Sequence, residues 1–279
     1  MDKWFIDKLN IDSLLQKEGM YQAPGVEVAS SFKSEAHDEL VELEEKSFWF
    51  KHRNEIIIEG VRSYPPKGNR VIEAGGGNGN CTYYLQKNGF ETAMFEPGEG
   101  GCINAVSRGV KNVVCSLLNE KYVKEHSIES VGLFDVIEHI EDDRAFLKEL
   151  QKILIDDGII YITVPAHKLL WSSSDTGHFR RYSKKTLRDI VSDSGYTILY
   201  DTYFFWYLTF PIFMLRALPY ILGGRKEGKA TTLKKQEFIA PRFIMKIISV
   251  MNSIETRTIR RRRHMVVGGA SLFLIAKKK

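Results

Sequence analysis

An α/β fold, built on an open and mainly parallel sheet with helices on both faces, is what this sequence predicts. Three observations carry that prediction. Short apolar runs alternate with helical periodicities from about residue 69 to residue 200. The first run, Val71-Ile72-Glu73-Ala74, leads at once into Gly75-Gly76-Gly77-Asn78-Gly79, a glycine-rich strand-to-helix turn. The last apolar run, Gly269–Ala276, has no room for another crossover helix, so it enters the sheet antiparallel.

The elements follow in order. Residues 1–45 are polar and helix-prone, and a helix through Ile56–Val61 stops before Pro65-Pro66. Asn69–Ala74 reads as the first strand and Cys81–Lys87 as a helix ending near Gly89. Glu91–Phe95 is a second strand, Ile103–Ser107 a helix, Lys111–Cys115 a third strand and Ser130–Phe134 a fourth. Asp142 is placed to cap the next helix, with Leu147, Leu150, Ile153 and Leu154 on one face. Gly158–Val164 is a fifth strand, stopped by Pro165. Ser183 caps a helix that turns Leu187, Ile190 and Val191 inward and closes near Gly195.

With 279 residues, the chain makes one large domain or one domain with an appendage. Hydrophobic residues at 43% and charged residues at 27% exclude a wholly disordered chain. Three cysteines, Cys81, Cys102 and Cys115, are too few for a disulfide scaffold and suit a reduced, cytoplasmic protein. Met1-Asp2-Lys3-Trp4 does not open a signal peptide. Tyr203–Leu222 is apolar with one charge, Arg216, but Pro211 and Pro219 interrupt it and argue against a simple transmembrane helix.

The chemistry begins at the glycine turn. Glycines there admit close backbone approach by a nucleotide cofactor at the carboxyl ends of the strands. A dinucleotide fingerprint needs glycine at position 80, where this chain has Asn80. Glu73 ends the first strand and favours a cationic ligand over a diphosphate. Glu96 ends the second strand, where an acid can accept both hydroxyls of a ribose.

These residues, Glu73-x-Gly75-x-Gly77-x-Gly79 and Glu96, together with Asp135-Val136-Ile137-Glu138-His139 and Gly158–Pro165, resemble the class I S-adenosylmethionine-dependent methyltransferases. The resemblance covers roughly residues 45–200 and the final strand. It is strongest to a bacterial group with the string Val164-Pro165-Ala166, Leu170-Trp171-Ser172, Asp175 and Gly177-His178-Phe179-Arg180-Arg181-Tyr182. Ubiquinone-pathway O-methyltransferases are more distantly similar. Many members have Asp where this chain has Glu73, and Cys where it has Gly76.

The resemblance implies a Rossmann-like, seven-stranded sheet whose last strand is antiparallel. Residues 1–60 then form an N-terminal helical cap and residues 61–200 the cofactor-binding core. Residues 201–265 form an aromatic and basic helical lid, and residues 266–279 hold the final strand. For S-adenosylmethionine, Gly75 and Gly77 are expected against the methionine moiety and ribose, Glu73 near the amino end, and Glu96 on the ribose hydroxyls. Leu117 flanks adenine beside Ser116, while Phe134 and Asp135 line the methionine arm. Arg53, ahead of the first motif, can pair bidentately with the methionine carboxylate.

Methyl transfer to a hydroxyl benefits from a general base, typically worth ~10²–10⁴-fold. His139 and His178 are the candidates, with Tyr182 as a third catalytic residue; either histidine can equally be structural. Trp171 is placed to line the acceptor pocket, and Arg180 and Arg181 to hold an anionic acceptor. Asp135, Glu138 and His139, with His178 or His167, resemble a cluster that holds a divalent ion in some related enzymes. The same Glu-His pair is common in members that use no metal, and none is assigned here.

Nine aromatic residues fall between Tyr200 and Tyr220. The net charge of +5 hides a split: residues 1–222 carry −7 and residues 223–279 carry +12. A basic tail beside an aromatic stretch favours an anionic membrane surface over nucleic acid, and no RNA-binding module is present. The expected acceptor is a small-molecule, glycan or lipid-linked hydroxyl, and the expected location is cytoplasmic and peripheral to the membrane. An RNA methyltransferase and a non-catalytic binding protein that keeps the fold are the alternatives. A nicotinamide oxidoreductase is disfavoured by Glu73 and Asn80.

Overall fold

A computed structural model describes residues 1–17, 19–24, 41–166, 179–212, 214, 242–265 and 268–279. The N-terminal segment forms α1 (Lys3–Ile6), β1 (Leu15–Lys17) and β2 (Met20–Gln22), and residues 41–46 are the helix α2. Next comes α3 (Phe48–Ser63), capped by Ser47, whose hydroxyl accepts a hydrogen bond from the Trp49 amide. It ends where Tyr64 meets Pro65.

The alternating part then runs β3 (Arg70–Ala74), α4 (Asn80–Lys87), β4 (Glu91–Phe95), α5 (Glu99–Arg108), β5 (Val113–Cys115) and β6 (Ile128–Phe134). It continues with α6 (Asp143–Ile153), β7 (Leu154–Pro165), α7 (Lys184–Asp193) and β8 (Tyr196–Phe204). The remaining elements are α8 (Thr209–Ile212), α9 (Arg242–Arg260) and β9 (Ser271–Lys278). Asp142 and Ser183 cap α6 and α7 as the sequence predicts, accepting from the amides of Ala145 and Thr186.

Among the described residues the strands form one nine-stranded sheet, ordered β1-β2-β5-β4-β3-β6-β7-β9-β8. Strands β5, β4, β3, β6 and β7 are mutually parallel. β9 slots between β7 and β8 and is antiparallel to both. The expected seven strands are therefore present, and the β1–β2 hairpin extends them at one edge by pairing β2 parallel to β5.

That hairpin corrects the N-terminal helical cap. Residues 15–22 belong largely to the sheet, and α3 runs past residue 60 to Ser63. Strands this short carry too few side chains to declare a period of two. Helix α5 starts at Glu99 rather than Ile103 and runs through Gly100-Gly101, where a Cβ on Gly101 would lie 2.7 Å from the Gly77 carbonyl oxygen. Glycine is required there by close packing, although it weakens a helix read from propensity alone.

Alternation along the strands splits the core between the two faces. Ile72, Leu272 and Leu274 pack on one face with Leu147, Leu150 and Leu187 from α6 and α7. Val71, Phe273 and Ile275 pack on the other with Ile56, Ile57, Leu85 and Ile259 from α3, α4 and α9. No described helix is long and apolar enough to cross a membrane.

Candidate active site

The site lies at the carboxyl ends of β3, β4 and β6. After β3 the chain turns through Gly75, Gly77 and Gly79, whose φ angles of +70°, +53° and +71° are in the left-handed region. A Cβ added at Gly77 would meet nothing within 4 Å, so this loop faces open space. Glu96 closes the far side: its carboxylate accepts from the Gly77 amide at 2.9 Å and the Gly98 amide at 2.7 Å. The acid at the end of β4 thus fixes the glycine loop. Leu117, past β5, is exposed beside the buried Ser116.

Glu73 lies beneath the loop. It is 3% exposed, and its carboxylate accepts a hydrogen bond from the Thr82 hydroxyl on α4. Burial pushes its pKa up to about 7 against the pull of Thr82 and Arg53. Phe134 is likewise buried, in the core layer of α3 and α4 rather than in an open cleft.

Arg53 reaches the site from α3. Its Nη1 donates to Asp135 Oδ2 at 2.6 Å, while its buried Nε has no hydrogen-bond partner among the described residues. Asp135, after β6, has φ +60° and also accepts from the Thr163 hydroxyl at 3.2 Å. Glu138 is 1% exposed, and neither of its carboxyl oxygens has a hydrogen-bond partner among the described residues. Burial, and then the neighbouring Asp135 carboxylate, raise it well above the ordinary carboxylate range. His139 is half-buried at the end of the same short 3-10 turn, Ile137–His139. Among the described residues no group of three or more His, Cys, Asp or Glu is placed to hold a metal ion.

Tyr182 is placed in the interior. It is 1% exposed, and its hydroxyl donates to Asp143 Oδ2 at 2.8 Å and lies 3.2 Å from the Ile137 carbonyl. Arg180 Nη1 pairs with the same Asp143 at 2.7 Å, and Arg180 also donates to the Glu141 carbonyl. Both residues thus anchor the post-β7 segment to the start of α6. An apolar-lined hydroxyl and an arginine in a pocket motif look alike in sequence whether they face a ligand or a buried carboxylate. Arg181 is half-buried and sits near Glu138, whose carboxyl its charge favours in ionised form. Trp171 and His178 lie outside the described residues, as does His167.

The partnerships of three further site residues carried no sequence signal. Glu44 of α2 is buried beside the glycine loop, pairs with Arg108 at 2.7 Å and has its pKa pushed up to about 7 by burial, against the pull of Arg108. Arg108 Nε donates to the Asn78 carbonyl in the loop at 3.0 Å. Asn80 accepts from Asn54 Nδ2 at 2.6 Å, which ties α3 to the start of α4. Each partner is more than 25 residues away in the chain, so no local spacing marks it.

The residues present fit S-adenosylmethionine: an open glycine cradle, a strand-end acid, and a buried guanidinium with an unmatched N–H. Comparison with known proteins agrees. A family model described as a methyltransferase domain matches residues 49–200. A probable S-adenosylmethionine-dependent methyltransferase of Mycolicibacterium smegmatis is 22% identical over 161 residues, 56% of this chain. The chain covers 62% of that relative's length. The fold is similar to an S-adenosylmethionine-dependent methyltransferase of Thermotoga maritima, with a TM-score of 0.50, 16% identity, and 87% of this chain and 98% of that one covered. It is also similar to phosphoethanolamine N-methyltransferase 2 of Haemonchus contortus, solved with S-adenosyl-L-methionine, with a TM-score of 0.55, 15% identity, and 90% and 58% covered. Topology, glycine loop and family model converge: this chain belongs to the methyltransferase-domain family, within the class I S-adenosylmethionine-dependent methyltransferases.

Proposed function

We propose that the protein transfers a methyl group from S-adenosylmethionine to an oxygen of a small-molecule, glycan or lipid-linked acceptor. The observation that carries the cofactor half is the Glu96 carboxylate, held by the Gly77 and Gly98 amides beside the open face of Gly77. When bound, S-adenosylmethionine supplies a methyl group activated by a sulfonium. Glu96 and the Gly75–Gly77 backbone hold the ribose side, Leu117 covers the base, and Arg53 offers its unmatched Nε–H to the methionine carboxylate. These contacts act by positioning, the main contribution an enzyme makes to such a transfer.

An oxygen acceptor must lose a proton. His139 beside the Asp135 turn is the base among the described residues, and His178 is the second candidate. Arg181, whose charge acts on the neighbouring Glu138, is the candidate to hold an anionic group of the acceptor. The +12 charge of residues 223–279 supports work on the cytoplasmic face of an anionic membrane, where a lipid-linked acceptor resides.

The test is incubation with S-adenosylmethionine radiolabelled on the methyl group and separate lipid, small-molecule and RNA extracts. Label is expected in the lipid or small-molecule fraction, and label in RNA alone overturns the acceptor class. Glu96→Ala is expected to abolish S-adenosylhomocysteine binding. Binding as tight as wild type would sink the cofactor placement. His139→Ala and His178→Ala, assayed with the acceptor so found, identify which histidine takes the proton.

A further inference from the structure

The geometry points to α9 as an interfacial helix that seats this protein on an anionic lipid surface, with an exposed apolar stripe entering the acyl boundary. The proposal rests on the membrane reading of the basic segment but not on the identity of the acceptor.

Helix α9 presents three faces. Ile248, Glu255 and Ile259 turn inward and are buried. The inward face is fastened to α3 by Glu255, whose carboxylate lies 2.7 Å from His52 Nε2 and also accepts from the Trp206 amide at 2.9 Å. A second face carries Ile247, Val250 and Ile254, which follow helical spacing along one side and are 46%, 60% and 46% exposed. Ile244, at the start of the helix, is 45% exposed. The third face carries the exposed Lys246, Ser249, Ser253 and Arg257, and Arg261 follows one turn on.

A helix on a protein surface normally shows one apolar face, and that face is buried. Here the buried face accounts for only part of the apolar residues. A row of branched aliphatic side chains in water is unfavourable unless something covers it. Two more exposed apolar residues, Phe210 (71%) and Met214 (42%), follow the turn whose Trp206 docks on Glu255.

Charge selects the occupant. Glu255 is the sole acid in α9, and it is turned inward. The outer surface of the helix is therefore apolar and basic, the composition of helices that lie in the headgroup region of anionic membranes. A second copy of the chain is a poorer fit. A two-fold interface through this stripe would set Lys246, Arg257 and Arg261 against the same residues of the other copy.

The experiment is flotation of the full chain with vesicles of equal parts phosphatidylcholine and phosphatidylglycerol, and with phosphatidylcholine alone. Wild type is expected to float with the mixed vesicles and stay behind with the neutral ones. Arg257→Gln with Arg261→Gln is expected to weaken partitioning about thirtyfold, each charge near an anionic surface counting for about a factor of five. Val250→Asp with Ile254→Asp is expected to abolish it. Both variants should keep wild-type S-adenosylhomocysteine affinity and thermal midpoint, because none of the four side chains faces α3.

Failure of wild type to float overturns the membrane reading of the whole basic segment. If only the arginine variant fails, the charge acts without the stripe and α9 is not an inserted helix. A wild-type dimer that Val250→Asp dissociates, with no vesicle binding, would assign the stripe to a second copy.

Discussion

Arg53 on α3 and Asp135 after β6 form an ion pair of 2.6 Å, and the pair leaves the arginine's Nε buried and unmatched among the described residues. A guanidinium so placed is oriented on one edge and available on the other. Burial alone would lower its pKa, but Asp135 outweighs that and the charge is secure.

Arg53→Ala is therefore expected to weaken S-adenosylhomocysteine binding by one to two powers of ten in calorimetry. A hydrogen bond to a charged group is worth about 1.5–3 kcal/mol. Arg53→Lys keeps the charge without the fork and should fall between. Wild-type affinity in Arg53→Ala would remove the residue from the cofactor site.

Glu73 predicts a pH dependence. Its folded pKa is about 7 against an ordinary 4.5. Below pH 4.5 both folded and unfolded forms are protonated. Between there and about 7 only the unfolded form releases its proton, so stability falls as pH rises and levels off above. Glu44 acts in the same direction. Glu73→Gln should match wild type near pH 4 and exceed it at pH 8 by on the order of 2–3 kcal/mol in urea denaturation. A less stable variant at pH 8 would mean that the ionised carboxylate is held favourably by Arg53.

The pair between His52 and Glu255 joins α3 to α9. Burial pulls His52 toward neutrality, but the Glu255 and Glu55 carboxylates outweigh it and its pKa is raised. A raised histidine contributes fully below its ordinary 6.5, and the contribution fades as pH climbs through the folded value. Glu255→Ala strands the buried imidazole and should cost about 3–5 kcal/mol below pH 6 in denaturant melts. A cost that does not shrink with rising pH would show that packing, rather than charge, joins the helices.

Tyr182→Phe should leave methyl transfer unchanged and lower stability by about 1 kcal/mol, the value of one buried hydrogen bond. The expectation rests on its hydroxyl being engaged by Asp143 and the Ile137 carbonyl. A large fall in kcat with an unaltered melt would restore it to the chemistry.

Elements whose signals are local were legible in the chain. β4 runs over Glu91–Phe95 as expected, and Asp142 and Ser183 cap their helices, since strand runs and caps depend on neighbours a few residues away. The glycine loop and its strand-end acid could also be read, because glycine's positive φ and an acid at a strand end are properties of single positions.

Partnerships across the fold could not be read in this way. Glu44 on the loop, Asn54 on Asn80, and Glu255 on His52 join residues 26 to 203 positions apart. So does the placement of the β1–β2 hairpin against β5. A polar side chain has the same identity whether it faces water, a ligand or a buried partner. Tyr182 and Arg180 look like pocket residues in the motif and become braces once Asp143 is beside them. Composition and local periodicity carry the chemistry of each residue. Which groups share a low-dielectric space, and which are left exposed like Val250 on α9, follows only from how the sheet and helices pack.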